Sequence, residues 1–362
     1  MLELLLAGST LAEGPDIDPL DGQGQEYVIY AVPRAGTGID YLRLDNVGVG
    51  TLAVSNVTSS MGGSPSYSIN GGIDYDRHTR RLFVYRNDVS LDNTGEVYQY
   101  NATITSATRV LTGYPSYRVV RGFAISKDGK FAVTQSRADA GLRRIAYILS
   151  IPATNTGPST PYASTATGQA AGPAAVNSDG SLFFTAGTTG AYIISRQNTL
   201  YNTTKISTVT GFISSAFSPR PASGYQSYLA LTNGTFSLYG VNANGSVQTL
   251  TPFDQASCNS VAWSNLQPDG SAYLLLGLTV APYLLIYRFD LLTQTLTPVT
   301  VPTVPAALVN KGIKALNGKY PNAVLLQHAT SLSIIRDAYS GAGTIQTVST
   351  GLSITTGGLI IE

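Results

Sequence analysis

The chain has 362 residues, of which 43% are hydrophobic and only 12% are charged, so it can bury a large core and is not a disordered segment. Its formal net charge of +1 argues against a partner, such as nucleic acid or an acidic membrane, that is recognised by bulk charge. The single cysteine, Cys258, excludes an intramolecular disulfide and a cluster of thiolate metal ligands.

The first 25 residues differ from the rest of the chain. They open with an apolar run that contains Leu2, Leu4, Leu5 and Leu6, and they end in acidic residues. The run is shorter than the core of a signal peptide and far shorter than a membrane span, and Glu3 stands where a basic residue would be expected. We therefore predict an N-terminal arm that belongs to the mature protein, with no signal peptide and no transmembrane segment.

A repeated phrase organises the remainder of the chain. Residues 121–133 form an apolar run, a turn at Asp128 and Gly129, and a second apolar run, which together predict a β-hairpin with a two-residue turn. Residues 172–184 repeat the phrase with an Asp-Gly turn in the same place. Six copies recur at intervals of roughly 40–50 residues, which is the length of a four-stranded propeller blade. The four other copies lie in residues 72–84, 215–231, 260–276 and 312–326.

Each copy is followed by further strand patterns. The predicted third strands are rich in tyrosine and isoleucine, and they cover residues 96–100, 144–149, 190–194, 235–239, 283–288 and 332–335. A seventh unit forms only when the two ends are joined. Residues 357–362 match the first strand of a unit, and the segment 26–54 supplies the other three strands. Joining them would remove two open sheet edges.

We predict an all-β fold, a seven-bladed β-propeller of four-stranded antiparallel blades, whose ring is closed by pairing of the C-terminal strand with the N-terminal blade. Residues 1–25 would form the arm and residues 26–362 a single domain. No stretch has helical periodicity for more than a turn or two. The predicted blades are residues 26–58 together with 354–362, then 71–112, 121–163, 171–209, 211–253, 259–302 and 311–348.

The hairpin phrase with its Asp-Gly turn resembles the inner hairpin of WD40-like and lactonase-like seven-bladed propellers, over residues 26–362. The Gly-His and Trp-Asp dipeptides of WD40 repeats are absent, since Trp263 is the only tryptophan and is followed by serine. In its low charge, its Thr-, Ser- and Gly-rich loops and its scarcity of cysteine, methionine and histidine, the chain also resembles structural proteins of tailed bacteriophages. That second resemblance implies a virion component that docks to its neighbours.

A lactonase-type metal site would need oxygen or nitrogen ligands that project from several inner strands into a central channel. The residues near the ends of the predicted inner strands include few carboxylates and several cations, which is a poor cage for a divalent ion. We therefore predict no metal and no other cofactor. These residues are Asn70, Asp74, Arg121, Asn177, Asn259, Lys311 and Lys314.

Other residue types that carry catalysis are scarce. His78 lies in a predicted basic turn and His328 follows a predicted strand in a different unit, so a shared site is unsupported. Cys258 is expected to be a small buried residue. The nucleophile-elbow and phosphate-loop motifs are absent from the sequence. On these grounds we predict no catalytic residues.

One loop combines aromatic and cationic residues, a composition that is enriched at protein interfaces and sugar-binding surfaces. It contains Tyr114, Tyr117, Arg118 and Arg121. Together with the four leucines of the arm, these are the candidate interaction residues.

Three hypotheses follow. The first, which we adopt, is a non-enzymatic virion component, tail- or capsid-associated, that is a rigid docking platform for other virion proteins. The second is a lactonase-like enzyme on a small lactone or ester, using residues such as Asp74, Arg121 and Lys314. The third is a binder of a host-surface glycan or receptor. We expect no nucleic-acid partner and no membrane insertion.

Overall fold

The computed structural model describes residues 27–34, 38–62, 72–84, 94–115, 120–136, 145–154, 158–164, 170–219, 224–250, 255–305, 312–316, 318, 320–354 and 357–361. These residues contain 28 strands and a single helical turn, α1 (Thr58–Met61). The prediction of an all-β chain is confirmed.

The strands of the first half of the chain are short, as expected for a sequence with turn residues at frequent intervals. They are β1 (Tyr27–Pro33), β2 (Ile39–Asp45), β3 (Ala53–Asn56), β4 (Ile73–Asp76), β5 (Arg81–Val84), β6 (Thr94–Tyr100), β7 (Ala107–Pro115), β8 (Val120–Ile125), β9 (Phe131–Ser136), β10 (Ile145–Ser150), β11 (Ser159–Ser164), β12 (Ala170–Val176), β13 (Leu182–Gly187), β14 (Gly190–Gln197) and β15 (Leu200–Ser207).

The second half continues in the same manner. Its strands are β16 (Ser214–Phe217), β17 (Ser227–Thr232), β18 (Gly234–Val241), β19 (Val247–Thr249), β20 (Ala256–Trp263), β21 (Ser271–Leu278), β22 (Leu284–Asp290), β23 (Thr295–Val299), β24 (Gly312–Leu316), β25 (Ala323–Gln327), β26 (Ser331–Arg336), β27 (Thr344–Ser349) and β28 (Leu359–Ile361).

The strands form antiparallel sheets in which neighbours along the chain pair with each other. In the described part of the chain, five sheets have four strands: β4–β7, β8–β11, β12–β15, β24–β27, and β28 with β1–β3. Strands β16–β23 form one eight-stranded sheet, because the start of β18 pairs with β20 between Gly234 and Cys258. On each side of that junction the strands again form an antiparallel group of four. The sheets resemble propeller blades.

Burial differs between the strands of one sheet. The second strands β13, β17 and β25 are buried at every position, and their sequences are almost continuously apolar. The last strands β15 and β27 are largely exposed or half-buried and contain many threonines and serines. The hydrophobic core therefore lies between neighbouring sheets, around their second and third strands.

The Asp-Gly turns are longer than the two-residue turns that the sequence predicts. In the β8–β9 hairpin the Ser126 N–H donates to the Phe131 carbonyl at 2.8 Å, so four residues separate the paired ends. Gly129 has a φ of 67° and its N–H donates to the Ser126 carbonyl at 2.9 Å. Gly180 adopts the same left-handed conformation in the β12–β13 hairpin, with a φ of 62°. Glycine is favoured here because residues with a side chain rarely adopt this positive φ. A two-residue turn is not the reason.

The two ends of the described chain meet in one sheet. Ile361 of β28 lies opposite Ile29 of β1, as the sequence predicts. The Gly358 N–H donates to the Tyr30 hydroxyl at 3.1 Å and to Gln327 Oε1 at 3.0 Å. A Cβ on Gly358 would lie only 2.6 Å from Tyr30 Cζ. The close approach of backbone and ring explains a glycine at this position.

One strand of each four-stranded group contacts its counterparts in the neighbouring groups. The contacts run in the order β28, β4, β8, β12, β16, β20 and β24, and β24 in turn contacts β28. The last and first sheets are also joined by Arg336, which donates to the Asn46 carbonyl at 2.5 Å and to the Val47 carbonyl at 2.7 Å. We call these seven strands the inner strands.

Candidate active site

Two charged side chains of the inner strands influence each other's ionisation although they lie far apart in the chain. Asp74 is on β4 and Lys314 is on β24, with β28 between these strands in the series of inner-strand contacts. Their charges are close enough for each to affect the pKa of the other. Of the seven residues that the sequence places near inner-strand ends, the structure brings these two together.

Asp74 joins two sheets. One carboxylate oxygen accepts a hydrogen bond from the Tyr75 N–H at 2.9 Å, and the other accepts one from the Ile125 N–H of β8 at 2.7 Å. Desolvation by the surrounding protein raises the pKa of Asp74 to about 6, against the lowering effect of the two N–H groups and of Lys314. The nearby Asp76 raises the pKa further. At neutral pH the carboxylate is ionised and can accept a proton.

Lys314 is exposed to solvent, yet the surrounding protein desolvates it and lowers the pKa of its ammonium, while Asp74 acts in the opposite direction. A side chain that solvent reaches and that protein nonetheless surrounds is typical of the wall of a narrow channel. The half-buried Asp74 has the same combination of properties. Both side chains are thus reached by solvent while protein surrounds them.

The arrangement offers a proton acceptor within the electrostatic influence of a positive charge. A carboxylate with a pKa near neutrality is suited to general-base catalysis. An ammonium that protein partly desolvates can stabilise negative charge that develops on a carbonyl oxygen. The pair can therefore activate a water molecule and stabilise the oxyanion that its attack produces.

A second aspartate of β4 has a different environment. Asp76 and Arg81 are both almost fully buried, and their Oδ2 and Nη2 atoms lie 3.3 Å apart. Arg81 also donates to the carbonyls of Pro152 and Thr154, at 2.8 Å and 3.0 Å. Thr79 donates its hydroxyl to the same Asp76 oxygen. The cluster joins the β4–β5 turn to the chain after β10, and sequence analysis did not identify it.

The other polar residues considered for the channel have separate positions. Asn177 is buried in the β12–β13 turn, where its Oδ1 accepts the Ser181 and Leu182 N–H groups at 3.0 Å and 2.9 Å. Asn259 lies at a bulge of β20, where the pairing with β21 shifts register. Asn70 and Lys311 lie outside the described residues.

The histidines and the cysteine lie apart. His78 is exposed in the β4–β5 turn, as the sequence predicts. His328 follows β25, is buried, and forms a hydrogen bond of 2.9 Å between its Nε2 and the Ser333 hydroxyl. Cys258 is fully buried within β20, and burial raises the pKa of its thiol. A buried thiol of raised pKa is a poor nucleophile.

The candidate interaction residues stay predictions. Tyr114 lies in β7 and Arg121 lies in β8, at a bulge where the pairing with β9 shifts register. Two residues of the same loop and the four leucines of the arm lie outside the described residues; they are Tyr117, Arg118, Leu2, Leu4, Leu5 and Leu6.

The described ranges lack two features that would bear on function. No group of three or more His, Cys, Asp or Glu side chains is arranged there to hold a metal ion. The described residues also contain no helix with the length and apolar character needed to cross a membrane.

No protein-family model and no curated protein matches the sequence. Solved structures do match. A periplasmic gluconolactonase of Pseudomonas aeruginosa is 14% identical with a TM-score of 0.64, covering 93% of this chain and 99% of that one. A putative 6-phosphogluconolactonase of Bacteroides fragilis is 12% identical with a TM-score of 0.63, covering 95% and 100%. The Cps50 (Swd1) β-propeller domain of Myceliophteria thermophila is 10% identical with a TM-score of 0.51, covering 78% and 87%.

At these identities the likeness concerns the fold, which is that of lactonase-like and WD40-like propellers. The adopted hypothesis of a non-enzymatic virion platform is wrong, because structures that match over more than nine-tenths of the chain bear the names of lactonases. The resemblance to bacteriophage structural proteins and the virion localisation gain no support from the comparisons. Composition failed as a guide because it is a property of the whole chain and does not say which side chains come together.

Proposed function

We propose that the chain is a hydrolase that opens a small lactone in the central channel of a closed ring of seven four-stranded blades. The observation that carries the proposal is Asp74, an inner-strand carboxylate whose pKa is raised to about 6 by desolvation and lowered in part by the charge of Lys314. The pair supplies the two functions that ester hydrolysis needs, a base for water and a positive charge for the oxyanion.

The closed ring is supported by the cycle of contacts among the inner strands. It is also supported by the pairing of β28 with β1, which gives the N-terminal group its fourth strand. The eight-stranded sheet counts as two blades, since only a short pairing of β18 with β20 links its halves. With the five four-stranded sheets, this gives seven blades.

The proposed reaction is the addition of water to the lactone carbonyl. Asp74 takes a proton from the water as the new C–O bond forms, and the negative charge on the carbonyl oxygen is stabilised by the Lys314 ammonium. The tetrahedral intermediate then breaks the ring C–O bond. The protonated Asp74 returns its proton to the leaving alkoxide, and the product is a hydroxy acid. The hydrogen bonds from Tyr75 and Ile125 hold the carboxylate in place throughout.

The substrate class is proposed from the chemistry of the pair and from the fold. A lactone is an activated ester of small size, which suits a narrow channel. Two of the similar structures are named as a gluconolactonase and a putative 6-phosphogluconolactonase. A sugar lactone is accordingly the first compound to test.

The test is hydrolysis of glucono-δ-lactone and of simple γ- and δ-lactones by the purified chain, with and without divalent metal ions. We expect turnover above the uncatalysed rate, with kcat/KM rising with pH through about 6 as Asp74 loses its proton. Asp74→Asn should lower kcat about 100-fold or more and abolish this rise. Lys314→Met should lower kcat by about 100-fold.

A matched control is Asp45→Asn, which changes a carboxylate of β2 that is paired with Arg43 at 2.7 Å. This variant should keep the activity and the pH profile of the wild type. Absence of turnover of every lactone by the wild-type chain would refute the proposed function. Turnover that Asp74→Asn leaves intact would refute the assignment of the base.

A further inference from the structure

A hydrogen bond joins the segments that follow two inner strands, although these two strands are not neighbours. The Lys127 ammonium donates to Asn265 Oδ1 at 2.8 Å. Lys127 lies in the turn after β8, and Asn265 lies in the loop after β20. In the series of inner-strand contacts β8 and β20 are not neighbours, since β12 and β16 lie between them. The bond therefore spans the space that the inner strands surround.

Both ends of this bond are on well-anchored turns. The Asp128 N–H, next to Lys127, donates to the Ser178 carbonyl of the adjacent sheet at 3.2 Å. The Asn265 carbonyl accepts hydrogen bonds from the Ser264 hydroxyl at 2.8 Å and from Gln267 Nε2 at 3.1 Å. A lysine stem of four carbons bridges the remaining gap. The space between the two turns is no wider than these two side chains together.

The position of Asp74 relative to this bond follows from the strands. The Ile125 N–H holds the Asp74 carboxylate, and Lys127 follows two residues later on the same chain segment. Two residues of chain span at most roughly 7 Å. The Lys127–Asn265 bond thus lies about one layer of side chains beyond Asp74, toward the turns that join the inner strands to the second strands.

The other end of the inner strands is built differently. Three of them begin with irregular pairing: β8 between Val120 and Phe123, β12 between Ala170 and Ala174, and β20 between Cys258 and Ser260. Bulges interrupt the ladder and re-aim side chains, and they are common beside active sites. The irregular pairing favours this end as the entrance for a ligand.

We propose that the Lys127–Asn265 bond is the floor of the channel, so that a substrate reaches Asp74 and Lys314 only from the bulged end. The inference rests on the proposed function. The floor limits how far a molecule can extend past the reacting carbonyl. Lys127 and Asn265 are specificity-determining residues in this scheme, and they take no part in the chemistry.

The test compares γ-butyrolactone with γ-dodecalactone, which carries a long alkyl tail. Lys127→Ala removes the floor and should raise kcat/KM for the long lactone, relative to the short one, by about tenfold or more. Asn265→Ala should change the ratio in the same direction by a smaller factor. Lys130→Ala is the matched control, since Lys130 is exposed on the same turn and pairs with Asp128 at 3.6 Å. It should leave the ratio unchanged.

If the ratio of kcat/KM for the long lactone to that for the short one were the same in Lys127→Ala as in the wild type, the proposed floor would be refuted. If the wild type hydrolyses no lactone, the proposed function fails. A second measurement then tests independently whether the Lys127–Asn265 bond closes one end of the channel. Lys314→Cys places a thiol in the channel, and Cys258 is too buried to compete for a reagent. A bulky maleimide should label this thiol several-fold faster when Lys127→Ala is added, but not when Lys130→Ala is added. Equal labelling rates in the two backgrounds would overturn the floor.

Discussion

Asp74 and Asp76 lie two residues apart on β4, and their surroundings differ. Asp76 is paired with the buried guanidinium of Arg81, which is held in turn by two backbone carbonyls. Asp74 instead accepts two backbone N–H groups and has Lys314 in its vicinity, in a place that solvent reaches. The two aspartates thus differ in their surroundings. Asp76 lies in a closed cluster that neutralises its charge, and Asp74 lies in a site that solvent reaches.

The difference separates a structural charge from one that can react. A buried ion pair with its hydrogen bonds satisfied fixes the turn that contains it, and removal of either partner leaves an uncompensated charge. A carboxylate whose pKa is raised toward neutrality can exchange a proton near physiological pH. The comparison predicts that changes at Asp76 and Arg81 affect stability, whereas changes at Asp74 affect chemistry and the dependence of stability on pH.

The largest expected effect is that of Arg81→Met. The substitution leaves the Asp76 carboxylate buried without its counter-ion, and it removes the donors to the Pro152 and Thr154 carbonyls. We expect the free energy of unfolding to fall by about 3–5 kcal/mol. Urea denaturation at pH 7, followed by fluorescence, measures it.

The double variant Arg81→Met with Asp76→Asn removes the unpaired charge as well. It should be more stable than Arg81→Met alone, although less stable than the wild type. If the double variant proved as unstable as the single one, the loss would come from the carbonyl contacts and not from the charge of Asp76.

The next effect is the pH dependence of stability that Asp74 causes. Its pKa is about 6 in the folded chain against an ordinary 3.8, so the folded state holds the proton more tightly than the unfolded state does. Stability from this group is present below about pH 4 and is lost as pH rises through about 6. The change amounts to at most about 3 kcal/mol, which is the free-energy equivalent of the difference between the two pKa values.

Asp74→Asn removes this titration and is the reference. The free energy of unfolding of the wild type minus that of Asp74→Asn should fall between about pH 4 and pH 7, as Asp74 ionises. The size of this difference at a single pH is uninformative. The amide of the variant has one oxygen, so it cannot accept the N–H groups of Tyr75 and Ile125 as the two carboxylate oxygens do. The neighbouring charges, Lys314 and Asp76, are present in both chains. A difference that does not change with pH would contradict the raised pKa.

Much of the fold is readable from the sequence because hairpins are local. The apolar runs and the turn glycines repeat along the chain, and the third strands lie where tyrosine- and isoleucine-rich runs predict them. The pairing of β28 with β1 was also predicted, from a first-strand phrase at the C-terminus with no partner after it. The length of the Asp-Gly turns was not predicted. Gly129 is the left-handed residue of a turn that is longer than two residues.

The site was predictable only in part. Inner-strand position was enough to include Asp74 and Lys314 among seven polar candidates, but their proximity depends on contacts between sheets far apart in the chain. The sequence offers Arg77, Arg80 and Arg81 in one turn, and nothing local identifies Arg81 as the buried one. Lys127 gave no signal either, because its partner lies more than a hundred residues away. The division into arm and domain and the interaction residues stay predictions.

The smallest expected effect comes from an ion pair that is shorter than the Asp76–Arg81 pair but exposed. Arg288 Nη2 lies 2.6 Å from Asp269 Oδ2, and the two side chains are 40% and 54% exposed. The Ser271 hydroxyl and then Arg288 lower the pKa of Asp269 to about 2, so the stability from this group is present above pH 4 and is lost as pH falls through about 2.

Arg288→Ala should cost less than about 1 kcal/mol at pH 7, because water solvates both charges when the pair is broken. Urea denaturation alongside Arg81→Met gives the comparison directly, and added salt should reduce the cost further, since it screens exposed charges. A loss as large as that of Arg81→Met would mean that distance, not burial, decides what an ion pair contributes in this fold. The expected ratio of several-fold in favour of the longer, buried pair would show that desolvation of the remaining charge is the dominant cost.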